Sequence, residues 1–504
     1  MKFFIICIMV VLSVFSTLNA SKKLNSFFVK NIKLIGAVPK SDVNSILLKY
    51  NSKKRTISEI KNIINEIKDY YKSLGYTLVQ VTIPKQTIRD GVLYLKVDIA
   101  KIGNISVDGG KYYSKEFIKN SFVQKKGDLL NYQSMIKSLL LLNDYDELKV
   151  NSFLKKSSLE NSTDIVLHVE DKKPLHVNAW YDNLGSKDTS KNRLGVDFFY
   201  GNLLRDGDEI KLNPVLSFSP SKTKFLSTSY SLPINNMQTK LKFGFLYANY
   251  LAGGDFTALN SEGNTHIYTF GVSQPLIRSI TNRVDLSINY SQKYAKNYLL
   301  NKISSNENIG IFDIAILWQK YGLYSMSSLY VSLAKGGLSD GSIESRIDED
   351  RDFFKTNIQL MLNRAIEEKL NLVYILNGQY SRDKLTPTEM FSIGGLTTVR
   401  GFKSGYKLGD SGFFTSIEGL YKFKFDKKNT LQVGLFCDYG RVYVNEPVAG
   451  EDKQSFLFGA GIESILNIND KYSGRLSLGY PLSASDDTYD KDLNLYLTIN
   501  VKLW

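Results

Sequence analysis

The sequence predicts a transmembrane β-barrel of about 16 antiparallel strands, preceded by two small α/β modules of β-α-α-β-β order. Three observations predict it. An export signal opens the chain, a weak internal repeat fills residues 27–174, and strands of alternating polarity run from Leu175 to Leu503. A barrel strand needs only about 9–11 residues and shows alternation in place of a long apolar run.

The export signal comes first. Lys2 supplies the positive charge, Phe3 to Phe15 a mostly apolar stretch, and Leu18-Asn19-Ala20 a small-residue cleavage site. That layout reads as a signal peptide over residues 1–20, removed after Ala20. A membrane anchor needs a longer apolar stretch, about 20 residues. Cys7 lies too early to accept a lipid, and the mature chain keeps only Cys437, so no internal disulfide can form. The longest later apolar run, Leu139 to Leu142, is far too short for a helical span.

The net charge of +14 is uneven. Ser21 to Pro174 hold 27 Lys and Arg against 16 Asp and Glu, whereas Leu175 to Trp504 hold 36 against 34. The basic excess therefore belongs to the N-terminal arm. It suits an acidic partner or anionic head groups, or reflects a general Lys and Asn bias of composition.

After a short segment, residues 21–26, the first module spans 27–102. Phe28 to Ile35 is a strand, and Asp42 to Leu48 a short helix opened by Ser41. A second helix carries Ile60, Ile63, Ile64, Ile67, Tyr71 and Leu74 on one face and stops at Gly75. Leu78 to Ile83 and Val92 to Ile99 are strands. The second module, 103–174, repeats the order through Ile105–Val107, Lys115–Phe122, Tyr132–Leu142, Lys149–Leu154 and Asp164–Val169.

The barrel occupies 175–504. Leu493, Leu495, Leu497, Ile499, Val501 and Leu503 alternate with Asn494, Thr498, Asn500 and Lys502. Ile210, Leu212 and Leu216 oppose Glu209, Lys211, Asn213 and Ser217; Phe413, Ile417, Tyr421 and Phe423 oppose Ser416, Glu418 and Lys422. Apolar outside and polar inside is the pattern of a closed barrel in lipid, because an open edge there would leave backbone groups unpaired. A soluble β-sandwich would reverse the sense. Export favours the membrane, and the 31 Tyr and 28 Phe suit interfacial girdles in contact with outer-membrane lipid.

Motifs of catalysis are poor. His168, His176 and His266 are scattered without metal-ligand spacing, and no Gly-Lys-Ser/Thr phosphate loop occurs. The reading is therefore no enzyme, no cofactor or metal, no nucleotide and no nucleic acid. Gly337-Leu338-Ser339-Asp340-Gly341 matches a hydrolase elbow, but Ser342 to Asp350 after it is polar loop where a helix is needed. Asp348, Glu349, Asp350 and Asp352 could hold a surface cation or simply face water outside the cell.

The strongest constellation comes late. Gly394-Gly395-Leu396-Thr397-Thr398-Val399-Arg400-Gly401-Phe402 lies in a long connection between strands, and Phe436-Cys437-Asp438-Tyr439-Gly440 lies within one. Leu431, Val433, Leu435, Cys437 and Tyr439 share the lipid face, so Asp438 points inward. A lumenal carboxylate wants a cation, and Arg offers a rigid fork. Arg400 could pair with Asp438 or with lumenal Glu418.

These motifs resemble the outer-membrane translocases built from POTRA modules and a barrel. Nearly the whole mature chain is similar to one branch, the two-partner secretion transporters (TpsB, the haemolysin-activator family). Leu74-Gly75-Tyr76, Ile83-Pro84-Lys85-Gln86 and Asp90-Gly91-Val92-Leu93 resemble the first POTRA module, and Leu139 to Asp144 the second. Asp182-Asn183-Leu184-Gly185-Ser186 resembles the first barrel hairpin, and Tyr230-Ser231-Leu232-Pro233 an early strand pair. Tyr145-Asp146-Glu147 stands where the family has Leu-Pro-Gly, and the family's N-terminal plug helix has no counterpart, which suggests a leakier pore. Trp504, a terminal aromatic, lies out of phase with the apolar stripe.

The resemblance implies a bacterial outer-membrane pore, with its POTRA modules in the periplasm, that secretes a large unfolded exoprotein. The modules would capture this client by strand addition. The barrel-assembly machinery would insert the barrel, and client folding outside would drive export. Arg400 and Asp438 would hold the hairpin, with Gly394, Gly395, Val399, Gly401 and Phe402 shaping it and Phe436 and Gly440 forming its seat. An assembly insertase of the same superfamily would carry more modules. A passive porin would need no arm, and a surface adhesin would need longer outer loops.

Overall fold

Residues 26–36, 43–186, 189–218, 222–253, 258–486 and 489–504 are described by a computed structural model. The expected signal peptide, residues 1–20, lies outside them, as do 21–25, Ser41 and Asp42. Two compact units form: one runs through residue 106 and takes in 124–136 and 152–167; the other comprises 107–123, 137–151 and 168–504.

The first module follows from local chemistry. Its strands are β1 (Ser26–Val29), β2 (Asn31–Ile35), β3 (Lys53–Thr56), β4 (Val79–Thr82) and β5 (Val92–Ile99), and its helices α1 (Asn44–Leu48) and α2 (Ile57–Ser73). Thr56 caps α2 by a reciprocal pair: its hydroxyl accepts from the Glu59 N–H while the Glu59 carboxylate accepts from the Thr56 N–H. Two donors with no partner inside the helix are thereby satisfied. Ile60, Ile63, Ile67 and Tyr71 are buried on one stripe, whereas Leu74 lies beyond the helix end and is exposed.

The strand expected over Phe28–Ile35 is two strands. The amides of Lys30 and Asn31 both donate to the Gly91 carbonyl, at 2.7 and 3.2 Å, which bends the chain between them. β1 then pairs with β3, while β2 runs parallel to β5 in a sheet ordered β2-β5-β4. Composition hid β3, because its Lys-Lys-Arg-Thr carries no apolar alternation.

The second module contains β6 (Lys101–Gly109), α3 (Lys115–Ser121), α4 (Tyr132–Leu142), β7 (Leu148–Lys156) and β8 (Ser162–Asp171). Its sheet is ordered β6-β8-β7. First, last and middle strands sit in the same spatial order as in the first module, so the repeat seen in sequence is also one of topology.

The barrel opens with β9 (Leu175–Asp182), β10 (Arg193–Gly201), β11 (Glu209–Ser217), β12 (Lys222–Pro233), β13 (Lys240–Leu251), β14 (Glu262–Arg278), β15 (Asn282–Leu299) and β16 (Lys302–Tyr321). It continues through β17 (Ser325–Leu338), β18 (Asp352–Ile366) and β19 (Leu370–Ser381). After a detour through the two short strands β20 (Phe391–Ile393) and β21 (Lys407–Gly409) come β22 (Ser411–Lys424), β23 (Thr430–Tyr443), β24 (Gln454–Ile468), β25 (Tyr472–Ala484) and β26 (Asn494–Lys502). All but β20 and β21 form one closed barrel of 16 strands, which β26 and β9 seal. The seam ladder is short, from Thr498 opposite Asp182 to Lys502 opposite Asn178. The Asn183 side chain lengthens it, donating to the Leu495 carbonyl at 2.9 Å and accepting from the Leu497 amide at 2.8 Å.

Polarity alternates as a wet interior requires. Leu435 is 66% exposed on the lipid face, while its neighbours Phe436 and Asp438 are buried inside. Trp504 follows the last strand residue, so the alternation of β26 does not bind it. It lies exposed outside the ladder, and its amide donates to the Val177 carbonyl.

Candidate functional site

The connection from Arg382 to Asp410 turns back along the inner face of the barrel. Glu389 pairs there with Lys293 of β15 and, at 2.8 Å, with Lys355 of β18. Leu385 packs with Ile309 and Phe353, and Thr388 donates to Glu307 of β16 at 2.7 Å. Farther along, β20 pairs with β21 to form a hairpin whose Ile393, Val399 and Phe402 bury against Phe414, Val442 and Leu457. The lumen thus holds the hairpin that the sequence led us to expect there, and with it a longer stretch of the connection that reaches from β15 round to β26.

At the hairpin tip, every guanidinium N–H of Arg400 has an acceptor. Nε donates to Asp438 Oδ2 at 2.6 Å and Nη2 to Asp438 Oδ1 at 2.7 Å. Nη2 also donates to Ser416 at 2.9 Å, and Nη1 contacts Glu463 at 2.9 Å and Glu418 at 2.7 Å. The Arg400 amide donates to Asp438 as well, at 3.0 Å. Both alternatives open in the sequence therefore occur together: Arg400 meets Asp438 bidentately and Glu418 singly. The planar cation lies 3.5 Å from the Phe436 ring centroid. Arg475 adds a second cation, 2.8 Å from Glu463, so two arginines face three carboxylates.

Close approach explains the glycines. Gly401 sits at φ +100, where a side chain is strained, and a Cβ there would come 2.7 Å from the Pro481 nitrogen. A Cβ on Gly440 would meet Val399 at 2.9 Å, so the seat must be bare at that point. Gly394 and Gly395 also adopt positive φ, closing the turn at which the Val399 carbonyl accepts from the Gly395 amide.

Gly394, Gly395, Val399, Arg400, Gly401, Phe402, Glu418, Phe436, Asp438 and Gly440 thus all gather in one place. Sequence reasoning missed Glu463, Arg475 and Tyr496, and placed Ser416 on the inward face without its tie to Arg400. The Tyr496 hydroxyl accepts from the Gly401 amide at 3.0 Å and donates to the Phe402 carbonyl at 2.9 Å, pinning the tip to β26. An aromatic among the inward polar positions of β26 was the available signal. Glu463 could have been found by alternation opposite exposed Ile462.

The remaining motifs resolve differently. Ser339 of the hydrolase-like pentapeptide lies in a turn after β17, and no helix follows it. Among the described residues, no group of His, Cys, Asp and Glu could hold a metal ion. The loop 339–351 exposes Asp348 and Asp350, as its composition suggests, but Glu349 is buried and Arg346 Nη1 reaches Asp410 at 2.8 Å. A basic side chain with an unexposed carboxylate waiting for it pulls the loop inward.

Known proteins resemble this chain in sequence and fold. The family model described as haemolysin secretion/activation protein ShlB/FhaC/HecB matches residues 161–466, and that of the POTRA domain, ShlB-type, matches 27–98. The heme/hemopexin transporter protein HuxB of Haemophilus influenzae (strain 86-028NP) is 23% identical over 88% of this chain and 81% of its own length. The structure of CdiB from Escherichia coli superposes with a TM-score of 0.83 at 20% identity, covering 96% of this chain and 92% of that one. BamA from Haemophilus ducreyi lacking POTRA domains 1–3 shares the fold more distantly, with a TM-score of 0.54 at 16% identity over 95% of this chain and all of that one.

Proposed function

The chain belongs to the haemolysin secretion/activation protein family ShlB/FhaC/HecB and is a two-partner secretion transporter of the outer membrane, and on that premise we propose that Arg400 is the lock of its export path. A large unfolded exoprotein is captured in the periplasm by the two modules, through addition of a client strand to a sheet edge. β2 and β4 flank the sheet of the first module and offer such edges. The client then passes the polar lumen while the 382–410 connection yields. The barrel sits in outer-membrane lipid after insertion by the barrel-assembly machinery; the apolar outer face supports the first.

One observation carries the reading. A fully buried cation ties the hairpin tip to β22, β23 and β24 at once through one residue, so the loss of one side chain removes all of its ion pairs to the barrel wall together. Charge-assisted bonds in a sheltered lumen are strong only while all partners remain in place. Two-state behaviour is the natural consequence: docked when every donor is satisfied, released when the set breaks. No nucleotide is needed for this, since client folding outside makes passage irreversible. The test is secretion of the client by cells carrying Arg400→Ala in a barrel that still shows heat-modifiable mobility on gels. Undiminished secretion would end the proposal.

A further inference from the structure

A second buried Arg–Asp pair lies at the other end of the same connection. Arg346, from the loop 339–351, has a side chain only 7% exposed, and its partner Asp410 is wholly buried. Arg346 Nη1 donates to Asp410 Oδ1 at 2.8 Å and to the Leu385 carbonyl at 3.3 Å, and Nη2 donates to the Asn445 carbonyl at 3.3 Å. Asp410 also accepts the amides of Leu385 and Asn445, each at 2.7 Å. Lys384 and Asp350 tie the same segments together: the Lys384 amide donates to the Asp350 carboxylate at 2.6 Å, and the Asp350 amide to the Lys384 carbonyl at 2.9 Å.

Topology gives these contacts meaning. The connections after β17, β19 and β23 all leave the barrel at the end opposite the strand ends that join the N-terminal arm. One guanidinium therefore stitches the root of the 382–410 connection, on both its descending and its returning limb, to the two neighbouring outer loops. The Arg400 hub holds the tip. A segment fixed only at its tip would pivot about its root, and a rigid five-donor fork with a buried carboxylate is suited to prevent that.

We propose that Arg346 and Asp410 are positioning residues for export: a second lock that sets the root of the hairpin, holds loop 339–351 over it, and opens together with the Arg400 lock when a client passes. The inference rests on the reading of 382–410 as the gate. Coupling between the two ties is reciprocal, so each should respond to loss of the other to the same degree.

Hydrogen exchange by mass spectrometry on the full-length protein in detergent reads this directly, because exchange reports local opening. In Arg346→Ala, peptides covering Leu385 and Asn445 should exchange faster. Peptides covering Arg400 and Gly401 should follow by about fivefold or more, the low end of ordinary coupling between sites. Arg346→Lys should fall between, since it keeps the charge and loses the fork. In Arg400→Ala the Leu385 and Asn445 peptides should accelerate in turn. This arm also decides the matter if Arg346→Ala fails to assemble. Acceleration confined to 343–351, with the hairpin peptides unchanged, would show that the pair merely pins a loop and would overturn the proposal. An Arg400→Ala variant that leaves the Leu385 and Asn445 peptides at the wild-type rate would overturn it equally. Normal client secretion by Arg400→Ala strikes instead at the gate reading, whatever the exchange rates show.

Discussion

At Arg400 the arrangement makes the single substitutions unequal. Removing its guanidinium leaves Asp438, Glu418 and Glu463 facing Arg475 alone, whereas removing Asp438 leaves Arg400 two carboxylates. Breaking a buried pair costs about 3–5 kcal/mol when the survivor has no other partner, and less where it has one. Arg400→Ala should therefore abolish client secretion, Asp438→Ala should reduce it severalfold, and the double variant should match Arg400→Ala. Secretion assays with barrel assembly checked in each strain decide this; a double variant showing the product of the two losses would contradict it. A second residue-scale prediction concerns Glu349. Burial, and then the nearby Glu307 carboxylate, push its acid up to about 7, against the opposing pull of the Ser345 and Arg346 amides and with Glu344 adding repulsion. The docked loop therefore keeps a proton that a free loop releases near 4.5. Docking is strongest below about pH 4.5 and weakens as the pH rises toward 7. Exchange across 343–351, corrected for intrinsic rates, should be faster relative to its reference at pH 8 than at pH 5. Glu349→Gln should flatten that difference, and an unaltered pH dependence in the variant would count against the assignment. The sequence made Asp438 and Glu418 legible because alternation assigns a strand residue to a face, and Arg400 through its glycine-flanked motif. It could not show Arg346 or Tyr496 as partners, because loops carry no period and a pairing across a barrel depends on closure.

Among the elements, the helix-strand corner of the second module shows where family likeness and local sequence part. Tyr145 stands in the Tyr-Asp-Glu that departs from the family's Leu-Pro-Gly, and it is nearly fully buried. Its hydroxyl donates to Gln238 at 2.6 Å, Lys240 lies 4.6 Å from its ring centroid, and Tyr113 and Phe117 pack beside it. Asp144 meets Arg278 at 2.8 Å and Arg283 at 3.2 Å. Burial drives the Tyr145 hydroxyl far above its ordinary acidity range, so it donates at every physiological pH. Tyr145→Phe should cost about 1–3 kcal/mol through the unpaired Gln238, and Tyr145→Ala about 3–5 kcal/mol through the cavity. Thermal unfolding of the purified variants, followed by loss of heat-modifiable mobility, measures the order; equal midpoints for Phe and Ala would refute it. Helices and barrel strands were legible because each has one apolar face at a fixed period, as in α2 and β23. β1 and β3 were not: four residues are too few for a period, and the bend at Lys30 is made by a carbonyl sixty residues away.

For the whole molecule, the question is what an open lumen would conduct. The connection bonds along the inner wall from β15 to β26, and a separate cavity opens against β11 to β17. This cavity, of about 850 Å³, is lined by Lys211, Lys240, Lys242, Arg278 and Arg283 against Asp144, Glu209 and Asp285. With the connection held against the inner wall, rare, small openings are expected in the wild-type protein, whereas the sequence alone suggested a leakier pore. Arg400→Ala should convert these to frequent large ones in planar bilayers. The excess of cations in the vestibule should make that open pore select chloride over potassium, because charged rings set the sign of selectivity where the path is wide and wet. Lys240→Glu with Lys242→Glu, placed in the Arg400→Ala background, exchanges two positive charges for two negative ones without touching the hub. In a KCl gradient the reversal potential should then change sign. A potential that stays on the chloride side would place the selective constriction elsewhere, at the outer end of the barrel. A wild-type channel as conductive as Arg400→Ala would mean that the connection does not obstruct the lumen at all.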